Sequence, residues 1–166
     1  MRNESGQPRR LSATGYVEWV LGDLRPKSAM HVTTEIAPHS GALFARNSYN
    51  TEFTGLVAFF DVDDATRTVS CDRAEFIGRN GTLKNPAAMA RSRLSGKAGA
   101  ALDPCAAIQV GFELADGQER EIIFRLGLAG RRGTDDASKL VHRFRGLAAA
   151  RGALAAVHQY WNHTLG

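Results

Sequence analysis

The feature of the sequence that most constrains the fold is the order of its hydrophobic patterns. Strand-like patterns occupy the chain as far as residue 130, and helix-like patterns occupy the remainder. A run of strands followed by a run of helices is typical of a sheet-based domain with a helical appendage, and it argues against βαβ units. The sequence therefore predicts a mainly β protein, with an antiparallel β-sandwich over residues 11–130 and a C-terminal helical linker over residues 134–166.

The strands are predicted from alternation and from the turns between them. Residues 11–21 alternate between apolar or small residues and polar ones, and Gly22-Asp23 ends this first strand. Further strands are predicted over residues 31–37, 42–46, 56–61 and 67–71. The apolar run at residues 56–60 lacks alternation, which predicts a strand covered on both faces. The polar residues 1–10 predict a flexible lead-in.

One hairpin is predicted over residues 106–127. Its loop is Ala115-Asp116-Gly117, with Gly117 in the left-handed conformation as a bulge. This register places six apolar side chains on one inner face: Ile108, Val110, Phe112, Ile122, Phe124 and Leu126.

Three helical segments are predicted. Asn85-Pro86 begins a short one, and Thr134, followed by two aspartates, caps a second that ends or kinks at Gly146. A third covers residues 147–163, with an apolar face formed by Ala150, Leu154, Val157 and Trp161.

Composition and spacing exclude several classes of site. Cys71 and Cys105 lie far apart and form no CxxC pair, so we expect free core thiols rather than a zinc site or a disulfide. The five histidines show no metal-binding spacing, and no cofactor is expected. No apolar stretch approaches the roughly 20 residues of a membrane span.

Acidic and basic groups are interpreted as structural. Residues 61–64 (DVDD) lack the later ligands of a calcium loop, so a solvated turn is expected. Asp72 and Glu75 could be imagined as a glycosidase pair, but chain spacing cannot show this, and Asp72 is expected to cap a short turn. The net charge is +4, yet the basic pairs Arg9-Arg10 and Arg131-Arg132 accompany no nucleic-acid-binding motif, so nucleic acid is not expected as a partner.

Several strings resemble the N-terminal β-sandwich of the glycoside hydrolase family 94 phosphorylases. These are residues 16–22 (YVEWVLG) and 41–47 (GALFARN), with Tyr49-Asn50. Residues 72–81 (DRAEFIGRNG) and 102–109 (LDPCAAIQ) are similar to the version in cyclic β-1,2-glucan synthases, and residues 156–161 (AVHQYW) resemble the helix that leads toward the catalytic barrel. Ser48 departs from the pattern, since many members carry proline there.

The resemblance implies a supersandwich-like, incomplete sandwich separated from its (α/α)₆ catalytic barrel. The chain alone is then not an enzyme and holds no catalytic residue. The parent protein is expected to be a glycosyltransferase or phosphorylase acting on β-1,2-glucan, in the inner membrane with this module on the cytoplasmic side. The expected partners are a β-glucan or gluco-oligosaccharide, the rest of the parent enzyme, and a second copy in a homodimer.

The candidate carbohydrate-binding residues lie in the segment 46–53: Arg46, Asn47, Tyr49, Asn50 and Glu52. Amide, guanidinium and aromatic groups on a loop after a strand suit sugars, whose hydroxyls need hydrogen bonds and whose ring faces stack on aromatics. The alternative is that Asn47 and Asn50 serve turn geometry and Tyr49 only packs. The resemblance implies that a similar loop contacts the acceptor sugar, often in a neighbouring subunit. A purely structural docking module without sugar binding is the second functional hypothesis.

Overall fold

The computed structural model describes residues 1–52, 54–130 and 133–165, and it consists of two antiparallel sheets packed face to face. Seven strands have the bounds β1 Arg9–Glu18, β2 Val32–Ile36, β3 Leu43–Asn47, β4 Val57–Val62, β5 Thr68–Asp72, β6 Pro104–Leu114 and β7 Phe124–Ala129. The helices are α1 Arg25–Ser28, α2 Arg73–Ile77, α3 Thr134–Arg143 and α4 Leu147–Leu165, with 3-10 turns at Ala29–His31 and Ala87–Ala90. The strand orders are β1-β6-β5 and β2-β3-β4-β7. The predicted mainly β sandwich with a C-terminal helix is confirmed.

The main core lies between the two sheets. It includes the fully buried side chains of Leu43, Ile108 and Val110. The sheets lie close together at Gly15, where an added Cβ would lie 2.6 Å from the ring of Phe124. A side chain at this position would force the facing rings to shift, so glycine suits the contact.

A second core lies on the other face of the four-stranded sheet, under α3. Ala137 and Val141 of α3 are fully buried there against residues that include Val57 and Phe59 of β4. Their neighbours on β4, among them Phe60, face the inter-sheet core instead. The strand is therefore covered on both faces, as its continuous apolar run predicts.

The predicted hairpin over residues 106–127 is wrong in its pairing. Gly117 does adopt a positive φ of 74°. However, β6 pairs with β1 and β5, whereas β7 crosses to the other sheet and pairs with β4. The apolar alternation of a strand indicates which face is buried but not which strand lies beside it. Two strands that face each other across the core therefore have the same sequence pattern as the two strands of a hairpin.

The N-terminal residues differ from the predicted flexible lead-in. Asn3 is buried, and its Nδ2 donates to the carbonyl of Leu114 at 3.0 Å. The main chains of Met1 and Arg120 also bond, with an N to O distance of 2.9 Å. This segment lies against the turn after β6, because its polar groups satisfy the main chain of that turn.

The two sides of the sandwich differ in how their strand edges are covered. Residues 94–99 bond to the outer edges of β5 and β2, through Gly96 N to Val69 O at 2.7 Å and Thr34 N to Gly99 O at 3.0 Å. At the opposite side, β1 and β7 are terminal strands with no further strand beside them in the described residues. Leu126 and Leu128 of β7 are 61% and 56% exposed there, although Leu126 lies opposite the buried Phe60. We call this side the open side.

The two C-terminal helices differ in burial. The first turn of α3 carries Asp135 and Asp136, as predicted, but its N-cap is Gly133 rather than Thr134. No described residue of α4 is buried, and its predicted apolar face, with Leu154, Val157 and Trp161, is exposed. In the described part of the chain, no helix combines the length and apolarity that a membrane crossing requires.

A buried charge cluster connects the sheets to the junction between α3 and α4. The predicted solvated turn at residues 61–64 is wrong for Asp61, which is fully buried at the end of β4. Asp61 accepts a hydrogen bond from Arg67 at 2.6 Å and pairs with Arg125. Arg125 also pairs with Asp63 at 2.5 Å and donates to the carbonyl of Phe144 at 3.0 Å. The main-chain N–H of Gly146, two residues after Phe144, donates to the Asp63 carboxylate at 2.6 Å. The cluster thereby fixes the point at which α4 leaves the sandwich.

Candidate functional site

The loop between β3 and β4 is held in shape by the side chain of Asn47. Its Oδ1 accepts hydrogen bonds from the N–H groups of Tyr49 and Asn50, at 3.0 and 3.3 Å. Its Nδ2 donates to the carbonyl of Leu21, at 2.9 Å, in the segment that follows β1. Asn47 therefore does serve turn geometry, and it also ties the loop to the opposite sheet.

A second local turn continues the loop. The Oδ1 of Asn50 accepts from the N–H of Glu52 at 3.0 Å. Thr54 Oγ1 donates to the carbonyls of Asn50 and Thr51, at 3.0 and 2.9 Å. These hydrogen bonds support the shape of the described part of the loop without a ligand.

Tyr49 stands out from this loop. It is 73% exposed, and its ring stacks on His31 with centroids 4.2 Å apart and an interplanar angle of 12°. The ring thus packs against one side chain at the surface rather than into the core. The remaining surface of the ring is open to a stacking partner.

A charge network holds the segment that carries His31. Arg25 of α1 pairs with Glu18 at 3.5 Å and with Asp103. Arg73 of α2 donates to Glu18 at 2.8 Å and lies 3.4 Å from Asp103, which closes the network. Partial burial opposes ionisation of Glu18, but hydrogen bonds from Arg73 and Tyr16 outweigh it and lower the pKa of that carboxyl.

A cleft of about 260 Å³ lies between this loop and the open side. Leu21, Leu56 and Leu128 provide apolar walls, and Asn47 and Asn50 provide amides. An apolar surface with a few polar groups is typical of sites for ligands that have both apolar faces and hydroxyl edges. The cleft is therefore the candidate site.

The predicted site residues are only partly brought together. Asn47 and Asn50 line the cleft, and Tyr49 lies next to Asn50 in the loop. Arg46 and Glu52 are not among the described residues that line it. Instead, Arg46 lies 3.9 Å from Glu35 of β2 in an exposed ion pair.

Sequence reasoning missed four contributors to this region: Leu21, Leu56, Leu128 and His31. The three leucines come from different sheets and segments, so no local pattern connects them to the loop. His31 was considered only as a metal ligand, whereas the structure uses its ring for stacking. The positive φ of 43° at Leu21, unusual for a residue with a side chain, marks the chain reversal that brings it to the cleft.

The carboxylates considered in the sequence have structural partners. Asp72, predicted to cap a short turn, accepts at its Oδ1 from Ala74 N at 3.1 Å and caps the first turn of α2. Glu75 pairs with Arg91 at 2.9 Å and accepts from Ser95 at 2.6 Å. Within residues 1–52, 54–130 and 133–165, no group of three or more metal-binding side chains could hold an ion.

The structure also tests the predictions for the cysteines and for part of the basic pairs. Cys71 and Cys105 are free and buried, as predicted, and burial raises the pKa of the Cys71 thiol to about 11. Arg10 lies 3.3 Å from Glu113 on the adjacent strand. The predictions that involve Phe53, Arg131 and Arg132 lie outside the described residues.

Comparisons with known proteins agree with the resemblance seen in the sequence. Residues 1–147 match the family model described as glycosyl hydrolase 94, supersandwich domain. The chain is 35% identical over 128 residues to the cyclic β-(1,2)-glucan synthase NdvB of Rhizobium meliloti (strain 1021), a match that covers 76% of this chain and 4% of the synthase. It is 28% identical over 174 aligned positions to the N,N'-diacetylchitobiose phosphorylase of Vibrio furnissii, which covers 98% of this chain and 20% of the phosphorylase.

The chain thus spans a small part of the length of both relatives. The matched family model describes a sandwich domain, in agreement with the expectation that the chain alone is not an enzyme. Its sheets, strand bounds and C-terminal helix fit that description. The chain belongs to the glycosyl hydrolase 94 family, as a supersandwich domain.

Proposed function

We propose that this chain is a carbohydrate-binding sandwich module that shapes the glucan site of a larger enzyme acting on β-1,2-glucan. The observation that carries the proposal is the cleft beside the loop between β3 and β4, where the amides of Asn47 and Asn50 adjoin apolar walls. Membership of the family and similarity to a glucan synthase support the choice of a glucan as the ligand.

Binding at the cleft follows from the chemistry of its walls. A glucose unit has an apolar ring face, which suits the exposed ring of Tyr49 or the leucine walls, and a rim of hydroxyls, which suits the amides. The loop is bonded internally before a ligand arrives, so little ordering opposes binding. The module supplies one wall of the glucan site, and the affinity of the chain alone is therefore expected to be weak, about millimolar.

An NMR titration of the chain with a linear β-1,2-gluco-oligosaccharide tests this proposal. The expected result is a set of shifts at residues 47–52 that Tyr49→Ala weakens about tenfold, a loss of about 1.4 kcal/mol. Tyr160→Ala is the matched control, since Tyr160 is an exposed tyrosine on α4, away from the loop. The proposal is overturned if the loop signals do not move, or if both alanine variants bind equally well.

A second candidate function is docking, supported by the exposed apolar face of α4 and the uncovered leucines of the open side. These surfaces would contact the rest of the parent enzyme, including its catalytic barrel, or a second copy in a homodimer. Light scattering over a wide concentration range distinguishes self-association of the wild-type chain from a clean monomer. Leu128→Ser should reduce any self-association through the open side, whereas Leu154→Ser should reduce one through α4.

The resemblance of the sequence strings extends the proposal to location. The parent enzyme would lie in the inner membrane, with this module on the cytoplasmic side. Membrane fractionation of cells that express the parent, followed by protease treatment of spheroplasts, checks this expectation. Release of the parent in the soluble fraction, or digestion of the module from outside, would contradict it.

A further inference from the structure

The outer face of the three-stranded sheet carries a second cleft, separate from the loop between β3 and β4. This groove has a volume of about 470 Å³ and extends over β1 and β6 to the segment after the 3-10 turn Ala87–Ala90. The apolar Leu11 and Phe112 line part of it, and the other lining residues are polar or small: Arg10, Ser12, Arg91, Ser92, Gln109, Gly111 and Glu113. The register of the two strands places Ser12 opposite Gly111 and Thr14 opposite Gln109. This face is therefore polar because outward-facing residues alternate with core residues along both strands.

Gly111 lies in the floor of the groove, and neither packing nor backbone geometry requires a glycine there. A Cβ at this position would meet no atom within 4 Å, and Gly111 is not among the glycines with a positive φ. The contrast is with Gly127, where a Cβ would lie 2.5 Å from the ring of Phe59. A glycine inside a strand with open space above it leaves room for a ligand to approach the main chain.

Gln109 supplies a buried polar group at one end of the groove. The side chain is 3% exposed, and its Nε2 donates to the carbonyl of Arg91 at 3.4 Å. Its Oε1 finds no hydrogen-bond donor among the described residues, and neither does Thr14 Oγ1 find a partner there. Buried polar oxygens normally have such partners. Gln109 lines the groove, and a rotation of its amide that exchanged the long bond to Arg91 would turn Oε1 toward a hydroxyl group bound there.

The charges around the groove favour a neutral ligand. Arg10 lies 3.3 Å from Glu113, and Arg91 lies 2.9 Å from Glu75. Each guanidinium is thus paired with a carboxylate, and the groove carries little net charge to attract phosphate. Hydroxyl donors, by contrast, match both the Gln109 oxygen and the serines of the lining.

We propose that this outer-face groove is a second binding site of the module, for a neutral polyhydroxylated ligand such as a segment of an oligosaccharide. The ligand lies across Gly111 and bonds to Gln109. The site is independent of the loop cleft, because it is built from different residues on a different face of the sandwich.

The test uses the full chain and two variants, each of which should weaken binding at only one of the two sites. Gly111→Val fills the floor of the groove with a residue that favours strands, so the variant should be at least as stable as the wild type. It should nevertheless weaken binding of a linear β-1,2-gluco-oligosaccharide at this face by at least about tenfold. Tyr49→Ala serves as the opposite variant, since it should weaken binding at the loop and leave the groove unchanged.

NMR shifts separate the two sites. Shifts at residues 12, 91, 92 and 109–113 that disappear in Gly111→Val and persist in Tyr49→Ala support the groove. The proposal is overturned if these residues do not shift in the wild type, whatever happens at the loop, or if their shifts persist unchanged in a folded Gly111→Val. Inorganic phosphate is the anionic comparison, and a groove that binds phosphate but not the oligosaccharide also overturns it.

Discussion

The buried charge cluster makes a quantitative prediction, for which Asp61→Asn is the sharpest perturbation. The substitution keeps the shape of the side chain but removes the charge that faces Arg67 and Arg125. Breaking a buried ion pair typically costs about 3–5 kcal/mol. The lower end, about 3 kcal/mol, is expected here, because Arg125 retains Asp63 and the carbonyl of Phe144 as partners.

Urea unfolding followed by far-UV circular dichroism measures this loss. With a slope of about 2 kcal/mol per molar urea, a loss of about 3 kcal/mol lowers the midpoint by about 1.5 M. The matched control is Glu113→Gln, which removes the same charge from the exposed pair with Arg10 and should cost less than about 1 kcal/mol. If the two variants lose equally little stability, the reasoning that this cluster holds the fold together is refuted.

Three further predictions follow from packing and ionisation. Gly15→Ala should destabilise the fold by about 1–3 kcal/mol in the same assay, because its Cβ would lie 2.6 Å from the Phe124 ring; an unchanged midpoint would contradict the described packing. Hydrogen bonds from Arg125 and Gly146 outweigh burial and lower the pKa of Asp63, so its carboxylate stabilises the fold above the ordinary value of 3.8 and loses this contribution as the pH falls further. In Asp63→Asn, the free energy of unfolding should therefore fall less steeply as the pH is lowered below about 4. An unchanged pH dependence in this range would count against the cluster. Cys71 and Cys105 should resist a thiol reagent until urea unfolds the chain, and rapid labelling of the native protein would show that the thiols are accessible.

The strands were predictable from the sequence to within one or two residues at most boundaries, since alternation reports burial directly. The end of the first strand is one exception, because Trp19 and Leu21 continue the apolar pattern after β1 has ended at Glu18. The start of β7 is another, since it lies at Phe124 rather than just after the predicted loop at Gly117. What alternation does not report is the identity of the neighbouring strand. Residues 104–114 and 124–129 both face the core, but from opposite sheets, and the left-handed Gly117 between them suits a hairpin and a crossing connection equally well.

The candidate site likewise combines residues that could be predicted from one loop with residues that the fold brings together from distant parts of the chain. Asn47 and Asn50 could be proposed from the residue types of one loop, and most of the bonds they make are local, whereas the bond from Asn47 to Leu21 joins distant parts of the chain. The alternative that they serve turn geometry describes those bonds correctly, yet both residues also line the cleft. The apolar walls could not be predicted, because Leu21, Leu56 and Leu128 meet only after both sheets have formed.

This dual role bears on the proposed binding of a glucan. A binding-site wall needs a stable shape. The loop is held in shape because Asn47 bonds both to the main chain of the loop and to Leu21, which follows β1 in the chain. The charge network of Glu18, Arg25 and Asp103 fixes the adjoining segment in the same way. The polar groups nearest the cleft are thus largely engaged in holding it. If the cleft binds glucan as proposed, apolar contact must supply much of the affinity, which suits one side of a shared site better than a complete site of its own.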